Sequence, residues 1–230
     1  MKKLVILSGA GMSAESGLGT FRDQGGLWDQ YKIEDVATPE AWEKDPGRVT
    51  DFYNMRRKEC YAATPNQGHE EIAKLEKYYD VTVVTQNIDD LHERAGSTDV
   101  LHLHGEINKV KSAGPNAEKK YYQQNAWEVK MGEKCPEGYQ LRPHVVWFGE
   151  AVPMLEKAAR IIEKADLLVV VGTSLNVYPA AGLVDYVPSK ADCYIIDPSE
   201  VTVPRKFDVI REKATTGLKK LSETLIRALD

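Results

Sequence analysis

The chain reads as an α/β protein: a Rossmann-like doubly wound parallel sheet with a small second lobe made of helical and loop insertions. Three observations predict that class. Five short β-branched runs, LVILSG (4–9), VTVVTQN (81–87), VLHLHG (100–105), LLVVVGTS (167–174) and CYIIDP (193–198), end in polar or glycine-bearing turns, as strands buried on both faces of a parallel sheet do. Helical stretches alternate with them, notably GHEEIAKLEKYY (68–79), PMLEKAARIIEKA (153–165) and GLKKLSETLIRAL (217–229), which is the rhythm of a doubly wound sheet. The first run opens into Gly9-Ala10-Gly11-Met12-Ser13-Ala14, a fit to the dinucleotide fingerprint G-x-G-x-x-(G/A).

Taken in order, the first strand follows a basic start but holds only about five apolar residues before its glycines, too few for a secretory segment of roughly 7–15. Glycine turns after strands are common, so the fingerprint alone is weak. Its functional reading is that Gly9 and Gly11 lack side chains so that backbone N–H groups approach a pyrophosphate at a helix N-terminus. A dehydrogenase would run on into a long helix, whereas here Gly17, Gly19, Gly25 and Gly26 follow, with Thr20-Phe21-Arg22-Asp23 among them. Residues 29–65 look helical and hold no strand candidate. Residues 106–143 are polar and broken by Gly114-Pro115 and Cys135-Pro136. A structureless loop of that length is uncommon inside a compact domain, so 29–65 and 106–143 are assigned to the small lobe. Residues 1–28, 66–105 and 144–230 make the large lobe of a single domain spanning 1–230.

Ligands of open α/β sheets bind beyond the carboxyl ends of the strands, which singles out the residues leaving each run. The second ends in Gln86-Asn87-Ile88-Asp89, amides and a carboxylate suited to a ribose and a carboxamide; the plainer reading is an Asn87 helix cap with Asp89 in the first turn. The third places His102 and His104 on one face, with His104 last, where it can serve as a general base or be a satisfied core histidine. The fourth ends in Gly172-Thr173-Ser174 and the fifth in Asp197-Pro198-Ser199, groups for phosphate or ribose, or ordinary turns. Five strand ends furnished in this way favour a shared site.

The bulk properties bound the partners. A formal charge of −5 over 230 residues disfavours a general nucleic-acid binder. No apolar run approaches the ~20 residues of a membrane span. Three widely spaced cysteines, Cys60, Cys135 and Cys193, suit a reducing cytoplasm rather than a disulfide framework.

GAGMSAESGLGTFRDQGGLW, TQNIDDLHERAG, LHLHGE, LRPHVVWFGE and VVGTSLNVYPAAGL, in that order, resemble the sirtuins, NAD-dependent protein-lysine deacylases, and most closely their bacterial branch and the members that accept acidic acyl groups. The resemblance covers nearly the whole chain. It implies that NAD is consumed as a co-substrate, and that the glycine-rich loop is a lid that closes over NAD and acyl-lysine. It implies that Gly9, Ala10, Gly11, Ala14, Thr20, Phe21, Arg22, Gln86, Asn87, Ile88, Asp89, Gly172, Thr173, Ser174, Asp197, Pro198, Ser199 and Ala214 bind the cofactor. His104 would be the general base, and Val146, Trp147, Phe148, Gly149 and Glu150 the strand-like edge that receives the substrate peptide. The implied products are free lysine, nicotinamide and O-acyl-ADP-ribose. A hydrolase of NAD or a protein ADP-ribosyltransferase using the same pocket is the alternative.

Two departures stand out. Sirtuins carry four zinc cysteines between the His-Gly motif and LRP, and this segment has only Cys135, so no zinc is expected; Val110, Tyr121, Tyr122, Trp127, Val129 and Tyr139 are the candidates to hold the insert by packing on the large lobe. Asp197 stands where most relatives have asparagine. Tyr53 and Arg56, three apart in DFYNMRRKEC, share a helix face. They read either as a surface tyrosine with a locally paired arginine, or, as the resemblance implies, as receptors for the carboxylate of succinyl- or malonyl-lysine.

Overall fold

A computed structural model describes residues 1–21, 25–115, 120–201 and 207–229. The large sheet is built from β1 (Lys3–Ser8), β2 (Asp80–Thr85), β3 (Val100–His102), β7 (Leu167–Val171), β8 (Asp192–Ile196) and β9 (Asp208–Ile210), in the order β3-β2-β1-β7-β8-β9. Every pairing is parallel. This is the order of the dinucleotide-binding folds, and the strand sequence reverses between β1 and β7, which is where such sheets bind ligands. β9 escapes sequence pattern because only three residues, DVI, form it.

Alternation along β1 shows how the sheet is buried on both faces. Val5 and Leu7 join Leu168, Val170 and Ile195 under α8 (Leu155–Ile162) and a 3₁₀ segment (Ala180–Tyr186). Leu4 and Ile6 join Val83, Val169 and Val171 under α6 (Gln67–Leu75) and α9 (Ala214–Arg227). Asn66 caps α6, accepting from the Gly68 and His69 N–H groups, while its amide donates to Met12 O at 2.9 Å, tying the helix to the turn after β1.

The remaining elements are α1 (Gly11–Ala14), α2 (Leu27–Gln30), α3 (Ile33–Val36), α4 (Pro39–Lys44), α5 (Pro46–Ala62) and α7 (Leu91–Arg94), with β4 (Gly105–Ser112), β5 (Tyr121–Gln123) and β6 (Leu141–Val145). Segment 29–65 is helical, as its sequence predicts. Segment 106–143 is not the loop insertion that its polarity suggests: β5-β4-β6 form a three-stranded antiparallel sheet. In β4 only Ile107, Val110 and Ser112 are buried, with Lys109 and Lys111 between them. A strand half-open to solvent carries too little apolar signal to be read.

That insert is gripped by α5. The Asn54 amide donates to Val129 O (2.8 Å) and accepts from Val129 N–H (2.9 Å). Arg57, fully buried, donates to Ile107 O (2.7 Å), Trp127 O (3.0 Å) and the Asn54 side chain (2.9 Å). The Tyr61 hydroxyl donates to Gln124 O at 2.6 Å. Of the six side chains expected to form an apolar anchor, Val110 and Val129 are buried, whereas Tyr121, Trp127 and Tyr139 are exposed. The anchor is polar because a long buried helix surface can supply the backbone partners that an irregular segment lacks.

Candidate active site

The β1 and β7 turns meet at van der Waals limits. Gly9 N–H donates to Val171 O (3.0 Å) and Gly11 N–H to Gly172 O (2.9 Å). Gly172 has φ +62°, and a Cβ there would lie 2.2 Å from Met12 N. The fingerprint predicts that the Gly9 and Gly11 N–H groups face a pyrophosphate. Both are occupied by carbonyls of the neighbouring strand end, so these glycines serve the close approach of two turns. Ala10 and Ala14 begin and end α1's single turn.

Gln86 binds the strand ends together. Its N–H donates to Ser8 O (2.9 Å), its side-chain amide to Thr173 Oγ1 (3.1 Å), and its carbonyl accepts from His104 Nδ1 (3.0 Å). A carbonyl only accepts, so His104 carries its proton on Nδ1 and leaves the Nε2 lone pair for chemistry. Burial lowers the His104 pKa, opposed by the Gln86 contact, so the ring is neutral at pH 7. That is the state a general base needs.

Asn87 and Asp89 converge on Ser13, a residue that the sequence pattern does not single out. Asn87 Nδ2 donates to Ser13 Oγ (3.1 Å), and Ser13 Oγ donates to Asp89 Oδ2 (3.0 Å); all three are buried. Asp89 Oδ1 also accepts from Leu91 N–H, and burial pushes its pKa up. Ile88 accepts Ile107 N–H, joining the turn to the small lobe. A serine inside a glycine turn has no periodicity to flag it; its place in the fingerprint is the only clue.

The adenosine-side candidates are plainer. Asp197 Oδ1 accepts from Ser199 N–H (2.8 Å) across Pro198, the turn-capping role. Ser174 follows Thr173, whose hydroxyl already receives Gln86 and Leu175 N–H. Ala214 is buried at the start of α9, and Thr215 beside it donates twice to Glu15 after α1. Thr20 O and Phe21 O accept from Leu27 and Trp28 N–H. Arg22 lies outside the described residues.

The peptide strip departs from its expectation. Residues 146–150 form a turn beyond β6, and their N–H groups are engaged within the chain: Val146 with His104 O, Trp147 with Glu150 Oε2, Phe148 with Ala37 O, Glu150 with Trp147 O. Gly149 takes φ +90° to make the turn. Arg142 holds the Glu150 carboxylate through both nitrogens (2.9 and 3.1 Å) and stacks 3.2 Å above the Trp147 ring. A strand edge with free N–H groups is absent from these four positions, and Glu150 shapes the turn rather than facing outward.

Tyr53 and Arg56 are both buried, at 5% and 4% exposure, so the surface-tyrosine reading fails. Phe52 and Trp147 flank Tyr53, and burial raises its pKa well above the usual phenol value, leaving a neutral donor. Arg56 pairs with Glu59 (2.6 Å), sits 5.5 Å from the Phe21 ring centre, and keeps a buried Nε without a partner.

The residues present do not fit a structural zinc. Among the described residues no group of three or more His, Cys, Asp or Glu is placed to hold a metal ion. Cys135 is buried, its thiol donating to Ser112 Oγ and its backbone closing a turn with Tyr139.

A 3-2-1-4-5-6 type sheet whose switch point gathers an amide–serine–carboxylate cluster beside a histidine with one free nitrogen defines a dinucleotide-using α/β enzyme. The Sir2 family profile matches residues 9–179, and the chain belongs to that family. It is 55% identical to an NAD-dependent protein deacylase of Bacteroides thetaiotaomicron over 99% of this chain and all of the relative. It is 47% identical to one of Helicobacter pylori over 98% of each. A Sir2 homologue in complex with NAD superposes with TM-score 0.89 at 39% identity, covering all of this chain and 91% of that one. A Sir2 structure with a p53 peptide and NAD⁺ gives 0.79 at 28% identity, with 97% and 93% covered.

Proposed function

We infer that this protein is an NAD-dependent protein-lysine deacylase that consumes NAD and releases free lysine, nicotinamide and O-acyl-ADP-ribose. The observation that carries the reading is the His104–Gln86 bond, which fixes a neutral imidazole with Nε2 free at the switch point of a dinucleotide sheet. Gln86, Asn87, Ile88, Asp89 and Ser13 line the nicotinamide-ribose side. The segments at Gly9–Ala14, Thr20–Phe21, Gly172–Ser174, Asp197–Ser199 and Ala214 line the rest. The acyl oxygen attacks the ribose carbon as nicotinamide leaves, His104 Nε2 then takes the proton of the ribose hydroxyl that attacks the imidate carbon, and water adds to that carbon as the lysine amine leaves, giving O-acyl-ADP-ribose. Mass spectrometry of products from matched acetyl, succinyl and malonyl peptides with NAD tests it. Free ADP-ribose without O-acyl-ADP-ribose overturns it in favour of NAD hydrolysis.

The acyl group is acidic as well as acetyl in this reading. A buried guanidinium with an unpartnered Nε beside a neutral phenol is costly in an apolar tunnel unless a carboxylate arrives. The substrate main chain reaches the site along the Val146–Glu150 turn, through carbonyls and the exposed Phe148 rather than through the occupied N–H groups.

The small lobe stands without zinc, held by Asn54, Arg57 and Tyr61 of α5. Elemental analysis is expected to find no stoichiometric zinc, and chelators to leave activity unchanged; about one zinc per chain refutes this. No helix among the described residues is long and apolar enough to cross a membrane. All three cysteines are buried and none forms a disulfide, which supports a reducing compartment such as the cytoplasm.

A further inference from the structure

We propose that His102 is a positioning residue of the NAD pocket: as an imidazolium it ties the Asn87 carbonyl to the Glu93 carboxylate and so fixes the Gln86–Asp89 turn. The proposal rests on the deacylase reading of this site. It assigns the two histidines of the LHLHG run, alike in sequence, to opposite charge states and different work.

The geometry is unusual for a histidine. Nδ1 lies 2.8 Å from Asn87 O and Nε2 lies 2.8 Å from Glu93 Oε1. A carbonyl cannot donate, and the Glu93 carboxyl is held ionised: burial raises its pKa, but the His102 contact outweighs that and the pKa falls. A neutral imidazole has one N–H and would turn its other lone pair against an oxygen. Only the doubly protonated ring satisfies both acceptors. His104, by contrast, meets one carbonyl and keeps a free nitrogen.

The surroundings agree on every side. Burial opposes a charge on His102, whose side chain is 7% exposed, yet Glu93 from α7, the Asn87 carbonyl and Glu106 from β4 outweigh it and raise its pKa. His92, also on α7, is held neutral by burial. Lys109 of β4 is bound to Glu106 at 2.7 Å and favours the ionised form of Glu93. The charge also reaches into the pocket, since His102 favours the ionised form of Asp89 against its burial. Losing the His102 proton therefore loosens the turn and weakens the carboxylate that it carries.

Two pH limits follow. Activity falls on the acid side as His104 is protonated, and on the alkaline side as His102 loses its second proton and one of its acceptors is stranded. The test combines histidine NMR titration of the free protein with pH profiles of kcat/KM for NAD, in wild type, Glu93→Gln and His102→Gln. The His102 resonance, assigned by its loss in His102→Gln, is expected to titrate above the ordinary value of 6.5. In Glu93→Gln that midpoint and the alkaline limb should fall together by about one pH unit or more. In His102→Gln the alkaline limb should vanish and KM for NAD rise about tenfold, with kcat little changed. A midpoint below 6.5, or an alkaline limb indifferent to both substitutions, overturns the proposal. If wild type proves not to deacylate, the functional reading fails instead. The alkaline limb is then followed in NAD affinity, where its response to the two substitutions supports or overturns the positioning role in the same way.

Discussion

At the scale of single residues, the site depends on which lone pairs are left free. His104→Ala removes the free imidazole lone pair just beyond β3, while Gln86 keeps its bonds to Ser8 and Thr173. Deacylation by this variant is expected to drop by about 10²–10⁴-fold or more, with NAD affinity within a few-fold by calorimetry; near-normal turnover on any accepted peptide would remove His104 from the mechanism. Arg56 makes a second case. Its pair with Glu59 occupies one end of the guanidinium, and the unpartnered Nε remains on the buried side. Arg56→Met is expected to cut kcat/KM for a succinyl peptide at least tenfold, since hydrogen bonds to charged groups contribute roughly 1.5–3 kcal/mol. The acetyl version of the same peptide should be largely spared. Equal losses on both would mean that Arg56 only supports α5. Neither the burial of Arg56 nor the tautomer of His104 is written in the residues themselves; both come from what folds around them.

At the scale of elements, α5 carries the heaviest structural duty and the least legible pattern. Asn54, Arg56 and Arg57 are buried alongside Val49, Phe52, Tyr53 and Cys60, while Asp51, Lys58 and Glu59 are exposed, so polar residues lie on both faces and no apolar stripe betrays the helix's orientation. Asn54 closes a two-way amide pair with Val129 deep in the small lobe. Asn54→Ala strands the Val129 N–H and carbonyl and removes one Arg57 acceptor, and each unsatisfied buried group costs about 1–3 kcal/mol. Denaturant unfolding is expected to show a loss of about 2–4 kcal/mol, and proteolysis to begin within the 106–143 insert; cleavage spread evenly over the chain would show that the clasp is not what holds that lobe. The β4-β5-β6 sheet is illegible in the sequence for a related reason. Its strands expose lysines between few apolar residues, so only pairing, which is non-local, reveals them.

At the scale of the whole molecule, burial of neutral histidines makes stability depend on pH. His69 and His144 are lowered to about 4, and His92 falls well below 6.5, all chiefly by burial. Their folded pKa values lie below the unfolded value of about 6.5, so the unfolded chain takes up protons first as pH drops. The stabilisation is complete above about 6.5 and is lost between there and about 4. His69 alone amounts to on the order of 3 kcal/mol, at about 1.4 kcal/mol per pKa unit. His102 has the opposite sign, stabilising below its unfolded value and losing that as pH rises through its raised folded one. With His104, also lowered by burial, four groups against one should lower the urea midpoint steadily from pH 7 to pH 5, and a flat midpoint would contradict the buried neutral rings. Apolar runs, glycine turns and long motifs are local features, so the parallel sheet, the ring of furnished strand ends and the family are all legible in the residues alone. Folding adds what no local pattern holds: Gly9, Gly11 and Gly172 serve the approach of two turns, Ser13 joins Asn87 to Asp89, and the 146–150 strip is a turn with its N–H groups engaged. It also gives His102 and His104 different charges. Each of these turns on which acceptor or backbone a distant strand brings within about 3 Å, and that is set by packing between segments far apart in the chain.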